Sequence, residues 1–219
     1  MKAIRVHQTG GPEVMVLEEI PTPTPGEGQV LVRQAAIGVN FIDVYKRSGL
    51  YTLPLPFVLG EEGAGTVEAV GPGGSGFGPG DRVVYANVMG AYAEYAAVPA
   101  EKLVKIPAHL DPKIAAALML QGLTAHYLVK STYPLKAGET CVVHAGAGGV
   151  GLLLIQMAKM IGAQVISTAS SEEKRALAKD AGADHVFPYA GFDQRVLEVT
   201  GGQKADVVYD GVGQATWEG

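Results

Sequence analysis

The sequence predicts an α/β protein in two parts, a β-rich barrel or sandwich followed by a parallel sheet covered by helices. Three observations predict it. Up to about Pro107 the apolar residues come in short runs punctuated by Gly and Pro, the pattern of short strands joined by tight turns. From Asp111 onward strand-like and helix-like runs alternate, which indicates parallel strands with helices on both faces. Glycine, at 30 of 219 residues, stands at about twice its usual share, so the chain has many turns or close backbone approaches to make.

In the first part the runs Ala3–Val6, Gln29–Ile37, Gly65–Val70, Arg82–Tyr85, Glu94–Val98 and Leu103–Ile106 read as strands. Pro21, Pro23 and Pro25 form an extended strap, while Gly71-Pro72-Gly73-Gly74 and Pro79-Gly80-Asp81 read as tight turns. In the second part Lys113–Leu120 and Thr124–Ser131 read as helical, and Pro134 breaks that pattern. Thr140–His144 reads as a strand, Leu152–Ile161 as an amphipathic helix stopped by Gly162, and Gln164–Thr168 as a second strand. Ser171–Ala181 is helical up to Gly182; His185–Phe187 and Ala205–Tyr209 are strands with the helical stretch Phe192–Thr200 between them. The expected domains are 1–123 and 124–219.

Composition excludes several function classes. A net charge of −5, from 17 basic and 22 acidic residues, supplies no basic field for a phosphate backbone, so nucleic acid is not the main partner. The longest apolar stretches, such as Val150–Ile155, fall well short of the ~20 residues of a membrane span, and the opening residues read as a strand rather than a signal peptide. The single cysteine, Cys141, permits no internal disulfide and no Cys-rich zinc site. A cytoplasmic protein without a membrane partner is expected.

The sharpest local signal is Gly146-Ala147-Gly148-Gly149-Val150-Gly151, a G-x-G-x-x-G run directly after one strand and directly before a helix. Glycine permits the tight turn and the approach of backbone N–H groups to a pyrophosphate at the positive end of the helix, and Gly151 allows helix and strand to pack closely. The loop specifies a nucleotide more firmly than its identity, since S-adenosylmethionine enzymes use similar loops. An NAD site usually places Asp or Glu at the end of the next strand, for the ribose 2′-OH. Here that end carries Ala169, Ser170 and Ser171, followed by Lys174 and Arg175, which favours the 2′-phosphate of NADPH. Glu172 and Glu173 partly offset those two cations, which equally suit a solvated helix face.

Longer motifs carry a family resemblance over nearly the whole chain. They are Gly38-Val39-Asn40-Phe41-Ile42-Asp43, Arg47-Ser48-Gly49-Leu50-Tyr51, Gly60-Glu61-Glu62-Gly63-Ala64-Gly65, Gly80-Asp81-Arg82-Val83, Gln121-Gly122-Leu123-Thr124 and Tyr209-Asp210-Gly211-Val212-Gly213. With the glycine loop they resemble the medium-chain dehydrogenase/reductase superfamily, and within it the zinc-free, zeta-crystallin-like quinone oxidoreductases. The resemblance implies a GroES-like barrel domain followed by a Rossmann domain. Zinc-dependent members have a cysteine at the position of Asn40 and a histidine at that of Glu61, and the structural-zinc cysteines are missing too, so no metal is expected.

Carried over residue by residue, the resemblance implies catalytic roles for Asn40, Asp43 and Tyr51 near the nicotinamide. It implies cofactor contacts for Asn40, Thr124, Gly146, Gly148, Gly149, Val150 and Gly151, and a 2′-phosphate pocket of Ser170, Lys174 and Tyr189. Gln121 stands where many relatives carry lysine. Tyr51 also reads as a loop cap before Pro54, and Asp43 with Arg47 as an i,i+4 pair that stabilises a helix. The five histidines lie in no metal-ligand spacing. The substrate implied is a small-molecule quinone, or an enal or enone reduced at its C=C bond, and a silent NADPH-binding protein is the non-enzymatic alternative. A complete Rossmann sheet has six strands and four are counted here, so the Rossmann domain is expected to be partial. The strand through which family members form homodimers is expected to be missing with the rest of that sheet.

Overall fold

A computed structural model describes residues 1–74 and 76–217; Ser75, Glu218 and Gly219 lie outside the described residues. The chain divides into two units, Met1–Leu120 and Gln121–Gly219, each described in its own frame. Against an expected boundary between residues 123 and 124, the division falls between Leu120 and Gln121.

The first unit contains β1 (Lys2–Val6), β2 (Met15–Glu19), β3 (Gln29–Ile37), α1 (Phe41–Ser48), β4 (Phe57–Val58), β5 (Glu62–Val70), β6 (Arg82–Ala86), β7 (Tyr95–Pro99) and β8 (Val104–Lys105). They form two antiparallel sheets, one ordered β2-β1-β4 and the other β7-β3-β5-β6-β8. The β3–β5 register shifts at Leu31/Val32 and again at Gln34/Ala36, and such irregularities bend and twist a strand pair. The second sheet gathers Val30, Val32, Val67, Val83, Tyr85, Ala96 and Val98 into one core. Ala64 and Val84 pack on another side against Ala115 and Ala116.

Three elements here are not evident from apolar periodicity. β2 presents Val16 and Leu17 to solvent on a sheet edge, and β4 is two residues long. α1 is short, and its buried residues are Asp43, Lys46 and Arg47 rather than an apolar stripe. Its start is set by Asn40, whose backbone N–H donates to Asp43 Oδ2 at 2.9 Å, and its end by Gly49 in the left-handed region at φ 86°.

α2 (Pro112–Tyr127) runs through the two helical stretches expected on either side of Gly122, and a π-helical turn continues it over Leu128–Thr132. An interior glycine costs a helix only about 1 kcal/mol relative to alanine, too little to end one of this length.

The second unit continues with β9 (Thr140–Val143), α3 (Gly149–Ile161), β10 (Gln164–Thr168), α4 (Glu172–Asp180), β11 (His185–Phe187), α5 (Phe192–Val199) and β12 (Val207–Tyr209). The four strands are parallel in the order β11-β10-β9-β12, the third-second-first-fourth arrangement of a Rossmann half with one strand added. Cys141, Val143 and Val165 face one core with Leu154, Ile155 and Ala158 of α3. Val142 and Ile166, of opposite parity, face Phe192 and Val196 of α5. Both faces are therefore covered, as the near-continuous apolar runs require. No helix among the described residues is long and apolar enough to cross a membrane.

Candidate active site and nucleotide site

In the first unit, charged and polar side chains are buried around the start of α1. Asn40, Asp43, Lys46, Arg47, Glu61 and Glu62 are all buried. Asn40 Nδ2 donates to Glu62 Oε1 at 2.9 Å, and the second oxygen of Glu62 accepts from the Leu120 N–H at 2.6 Å. Burial pushes the Glu62 carboxyl up, while the bonds from Asn40 and Leu120 favour its ionised form. Asp43 Oδ2 accepts from the Tyr92 hydroxyl at 2.8 Å as well as from the Asn40 N–H. Burial, and the hydrogen bond to Asp43, push the Tyr92 hydroxyl up, so it stays protonated and donates.

Lys46 pairs with Glu61, and both are buried. Desolvation lowers the Lys46 ammonium from its ordinary value, against the raising effect of Asp43. Arg47 points elsewhere: its Nη1 donates to the Gly10 carbonyl at 2.7 Å. The sequence-level pairing of Asp43 with Arg47 thus gives way to Asp43 with Tyr92 and Asn40.

Tyr51 sits past the other end of α1. Its N–H donates to the Tyr45 carbonyl at 3.1 Å, and its ring meets Tyr45 edge-on with centroids 5.8 Å apart. The side chain is half exposed. Asn40 and Asp43 are thus brought into one cluster, and Tyr51 is held against the far turn of the same helix.

In the second unit, the loop between β9 and α3 is built around absent side chains. A Cβ at Gly146 would overlap Ser167 Oγ, and one at Gly151 would lie 2.5 Å from the Ala145 carbonyl oxygen and 2.8 Å from Gly146 Cα. One at Gly149 would overlap the Gln121 side-chain amide, and one at Gly148 would stand 3.1 Å from the Ala145 oxygen. The Gly148 N–H donates to Ala145 O at 2.8 Å, closing the turn, and Ala145 itself is held at φ 51°. A non-glycine residue in the left-handed region is costly, and such strain gathers at ligand clamps. α3 starts at Gly149, so its positive end opens onto this glycine cradle.

His144, at the base of the loop, is buried; its Nδ1 lies 2.8 Å from Thr168 Oγ1, and its Nε2 has no hydrogen-bond partner. Burial lowers its pKa and keeps the ring neutral, against the opposing charge of Asp210. Ser170 is exposed at the end of β10. Ser171 caps α4 through the Lys174 N–H at 3.3 Å, with the Lys174 side chain exposed in the first turn. Tyr189 is half-buried, its ring 6.3 Å from that of His144. Thr124 is half-buried on α2. The end of β10 thus offers hydroxyl and ammonium groups where an NAD site would offer a carboxylate, and the cradle and the orphaned His144 nitrogen fit a phosphate-bearing dinucleotide.

Sequence reasoning missed Glu62, Lys46 and Tyr92 as members of the first cluster. The available signal was the Glu61-Glu62 dyad inside an otherwise small and apolar run, because adjacent carboxylates in such a setting must find partners.

Comparison with known proteins agrees with this geometry. Residues 26–108 match the family model of the alcohol dehydrogenase GroES-like domain, and residues 149–219 that of zinc-binding dehydrogenases. The chain is 51% identical over 221 residues to a quinone oxidoreductase of Pseudomonas aeruginosa, covering 99% of this chain and 68% of the relative. The chain belongs to the quinone oxidoreductase family. That family lies within the medium-chain dehydrogenase/reductase superfamily, a GroES-like domain followed by a Rossmann-like sheet. The crystal structure of Escherichia coli quinone oxidoreductase complexed with NADPH superposes with a TM-score of 0.97 at 45% identity, over 100% of this chain and 68% of that one. A 2-haloacrylate reductase from a Burkholderia species is 44% identical, covering 96% of this chain and 66% of the relative. The chain thus spans about two thirds of the length of these relatives.

Proposed function

We propose that the protein is an NADPH-dependent, zinc-independent quinone reductase that acts on a small-molecule substrate. The observation that carries this reading is the glycine cradle at the start of α3, with Ser170 and Lys174 rather than a carboxylate beyond β10. Similarity to an NADPH-complexed quinone oxidoreductase supports it. Bound there, NADPH supplies a hydride.

The chain's own residues do the rest by holding and orienting. Gly149 and Val150 offer backbone N–H groups to a pyrophosphate; Gly148, whose own N–H closes the turn on Ala145 O, lets the phosphate approach the backbone, and Gly146 and Gly151 keep the loop closed beneath it. Ser170, Lys174 and Tyr189 take the 2′-phosphate, and Asn40 and Thr124 contact the rest of the cofactor. The Tyr51 hydroxyl donates a hydrogen bond to the acceptor oxygen, where negative charge develops as the hydride arrives. Asp43, at 3% exposed, serves by fixing the backbone of Asn40. Where zinc-dependent relatives carry ligands stand an amide bonded to Glu62 and a carboxylate neutralised by Lys46. A buried single thiol, Cys141, and the absence of any disulfide-forming pair suit a reducing compartment, the cytoplasm.

Reduction of an activated C=C bond is the second reading, favoured by the similarity to the 2-haloacrylate reductase. One set of measurements tests both: NADPH and NADH dissociation constants by calorimetry, then NADPH oxidation with a simple quinone and with a 2-haloacrylate. The expected outcome is tighter NADPH binding, quinone-dependent turnover, and a Tyr51→Phe variant that binds NADPH normally and turns over slowly. A folded chain that binds NADH better refutes the cofactor assignment. Binding without turnover on either substrate leaves a silent NADPH-binding protein.

A further inference from the structure

Lys46 brings a buried ammonium into the cluster around the start of α1. Asn40, Asp43 and Lys46 follow one another at three-residue steps, which sets them along one side of that helix, and all three are buried. One N–H of Lys46 goes to Glu61, and another meets Met89 Sδ at 3.1 Å. The sulfur is no chance neighbour. Its loop is tied to the segment that carries Glu61, because the Val88 N–H donates to the Glu61 carbonyl at 3.3 Å and the Gly90 N–H to the Gly60 carbonyl at 2.9 Å. The loop opens with Asn87 at φ 61°, the left-handed region, where a non-glycine residue is strained.

A buried ammonium calls for strong acceptors, and a thioether is among the weakest in a protein. Met89 is half-buried on a flexible, unbranched side chain, so its sulfur can swing aside while its backbone stays tied. Resting on the reading of the Asn40 cluster as the reductase site, we propose that Lys46 is a substrate-binding residue: an oxygen of the hydride acceptor displaces the Met89 sulfur and takes its N–H. Glu61 decides which acceptors qualify. Its charge cancels that of the lysine, so no net positive charge remains to offset the desolvation of a carboxylate. The class selected is a neutral carbonyl compound, a quinone or an uncharged enone, rather than an anionic acrylate. The bond from Lys46 also strengthens as the arriving hydride drives negative charge onto that oxygen.

The probes are 1,4-naphthoquinone and its 2-carboxylate. Their Kd values are measured on the chain saturated with NADP+, where no hydride is available, and kcat and KM with NADPH, for wild type, Met89→Leu and Lys46→Met/Glu61→Gln. The double variant removes both charges together and strands neither, and its thermal midpoint reports its fold. Wild type is expected to bind the neutral quinone about tenfold or more tighter than the carboxylate. The double variant is expected to lose roughly ten- to hundredfold in quinone affinity, the worth of a charge-assisted hydrogen bond, and to lose kcat as well. Met89→Leu keeps the charged pair and removes the competing sulfur with little change in volume, so it should bind the quinone more tightly than wild type. A merely structural lysine would leave quinone affinity unmoved in the folded double variant, and that result overturns the proposal. So does a Met89→Leu chain that binds the quinone no more tightly than wild type, which decides the matter alone if the double variant does not fold. A wild-type preference for the carboxylate overturns the neutral class. If the NADP+-loaded chain binds the quinone but NADPH is not oxidised, the reductase reading fails by itself and the Kd series still decides the role of Lys46. A wild-type chain that binds no quinone overturns the proposal whatever its turnover.

Discussion

Replacing Gly146 by alanine tests whether the nucleotide loop is glycine-rich for lack of space rather than for backbone freedom. Gly146 is not among the residues at positive φ, so alanine can take its backbone conformation. Its methyl, however, would overlap Ser167 Oγ and stand 3.2 Å from both Ser167 Cβ and Ile155 Cδ1. Ser167 is fully buried and its hydroxyl donates to the Val143 carbonyl at 2.9 Å. To admit the methyl that hydroxyl must turn away from its acceptor, which costs about 1–3 kcal/mol for an unsatisfied buried group. Crowding against Ile155 adds about 1–3 kcal/mol. Ser167→Ala alone should cost only about 1 kcal/mol, the net worth of one hydrogen bond. In Gly146→Ala/Ser167→Ala the overlapping oxygen is gone and only the 3.2 Å contacts remain, which small shifts relieve. The double variant should therefore be more stable than Gly146→Ala, with a coupling of roughly 1–3 kcal/mol. Hydrogen exchange of the β9 and β10 amides reads the opening free energy of this sheet directly, with NADPH Kd as a second readout. Additive effects, or a Gly146→Ala chain with wild-type protection, would refute the argument from space.

Three further outcomes are expected. Lys46→Met should destabilise the first unit by about 3–5 kcal/mol by leaving Glu61 buried without its cation, and adding Glu61→Gln should recover much of this, as denaturant midpoints will show. The Asp184 carboxyl is pushed up by burial, but the Lys159 ammonium at 2.8 Å and the Val165 N–H at 2.7 Å outweigh that and hold it below its ordinary 3.8. The folded state then binds fewer protons than the unfolded one, so this stabilisation is present above that pH and is lost as pH falls through the lower, folded value. Asp184→Asn should flatten the acid limb of the stability profile, and an unchanged limb would assign it to other carboxylates. Lys174→Ala should weaken NADPH by about tenfold while leaving NADH unchanged, as loss of a charge-assisted phosphate contact requires, and calorimetry with both cofactors decides it.

What was legible in the sequence is what local patterning fixes. The run from Thr140 to Thr168 reads directly as strand, glycine loop, helix and strand, because apolar periodicity, the G-x-G-x-x-G spacing and the stop at Gly162 all agree. β2 escaped because Met15–Glu19 is exposed along most of its length and carries no alternating stripe. α1 escaped because its buried face is charged; hydrophobic periodicity cannot reveal a helix whose inward residues are Asp43, Lys46 and Arg47. Asn40 and Tyr51 were visible through motif resemblance, yet the partners of Asn40 were not. Glu62 lies 22 residues from Asn40 and 58 from Leu120, and only the approach of β5 to α1 and α2 makes them neighbours. Proximity of that kind leaves no trace in spacing.

The Lys46–Glu61 pair also bears on whether this site can be converted to metal chemistry. Cysteine at position 40 and histidine at position 61 would restore the ligand types of zinc-dependent relatives by two substitutions. The lysine would remain, buried beside the restored ligand and deprived of its carboxylate, and would repel an incoming dication by several kcal/mol. The histidine step strands that buried ammonium whichever substitution comes first, so position 61 and the lysine must change together. The lysine that balances the present carboxylate is thus also the residue that stands in the way of a zinc-type ligand set.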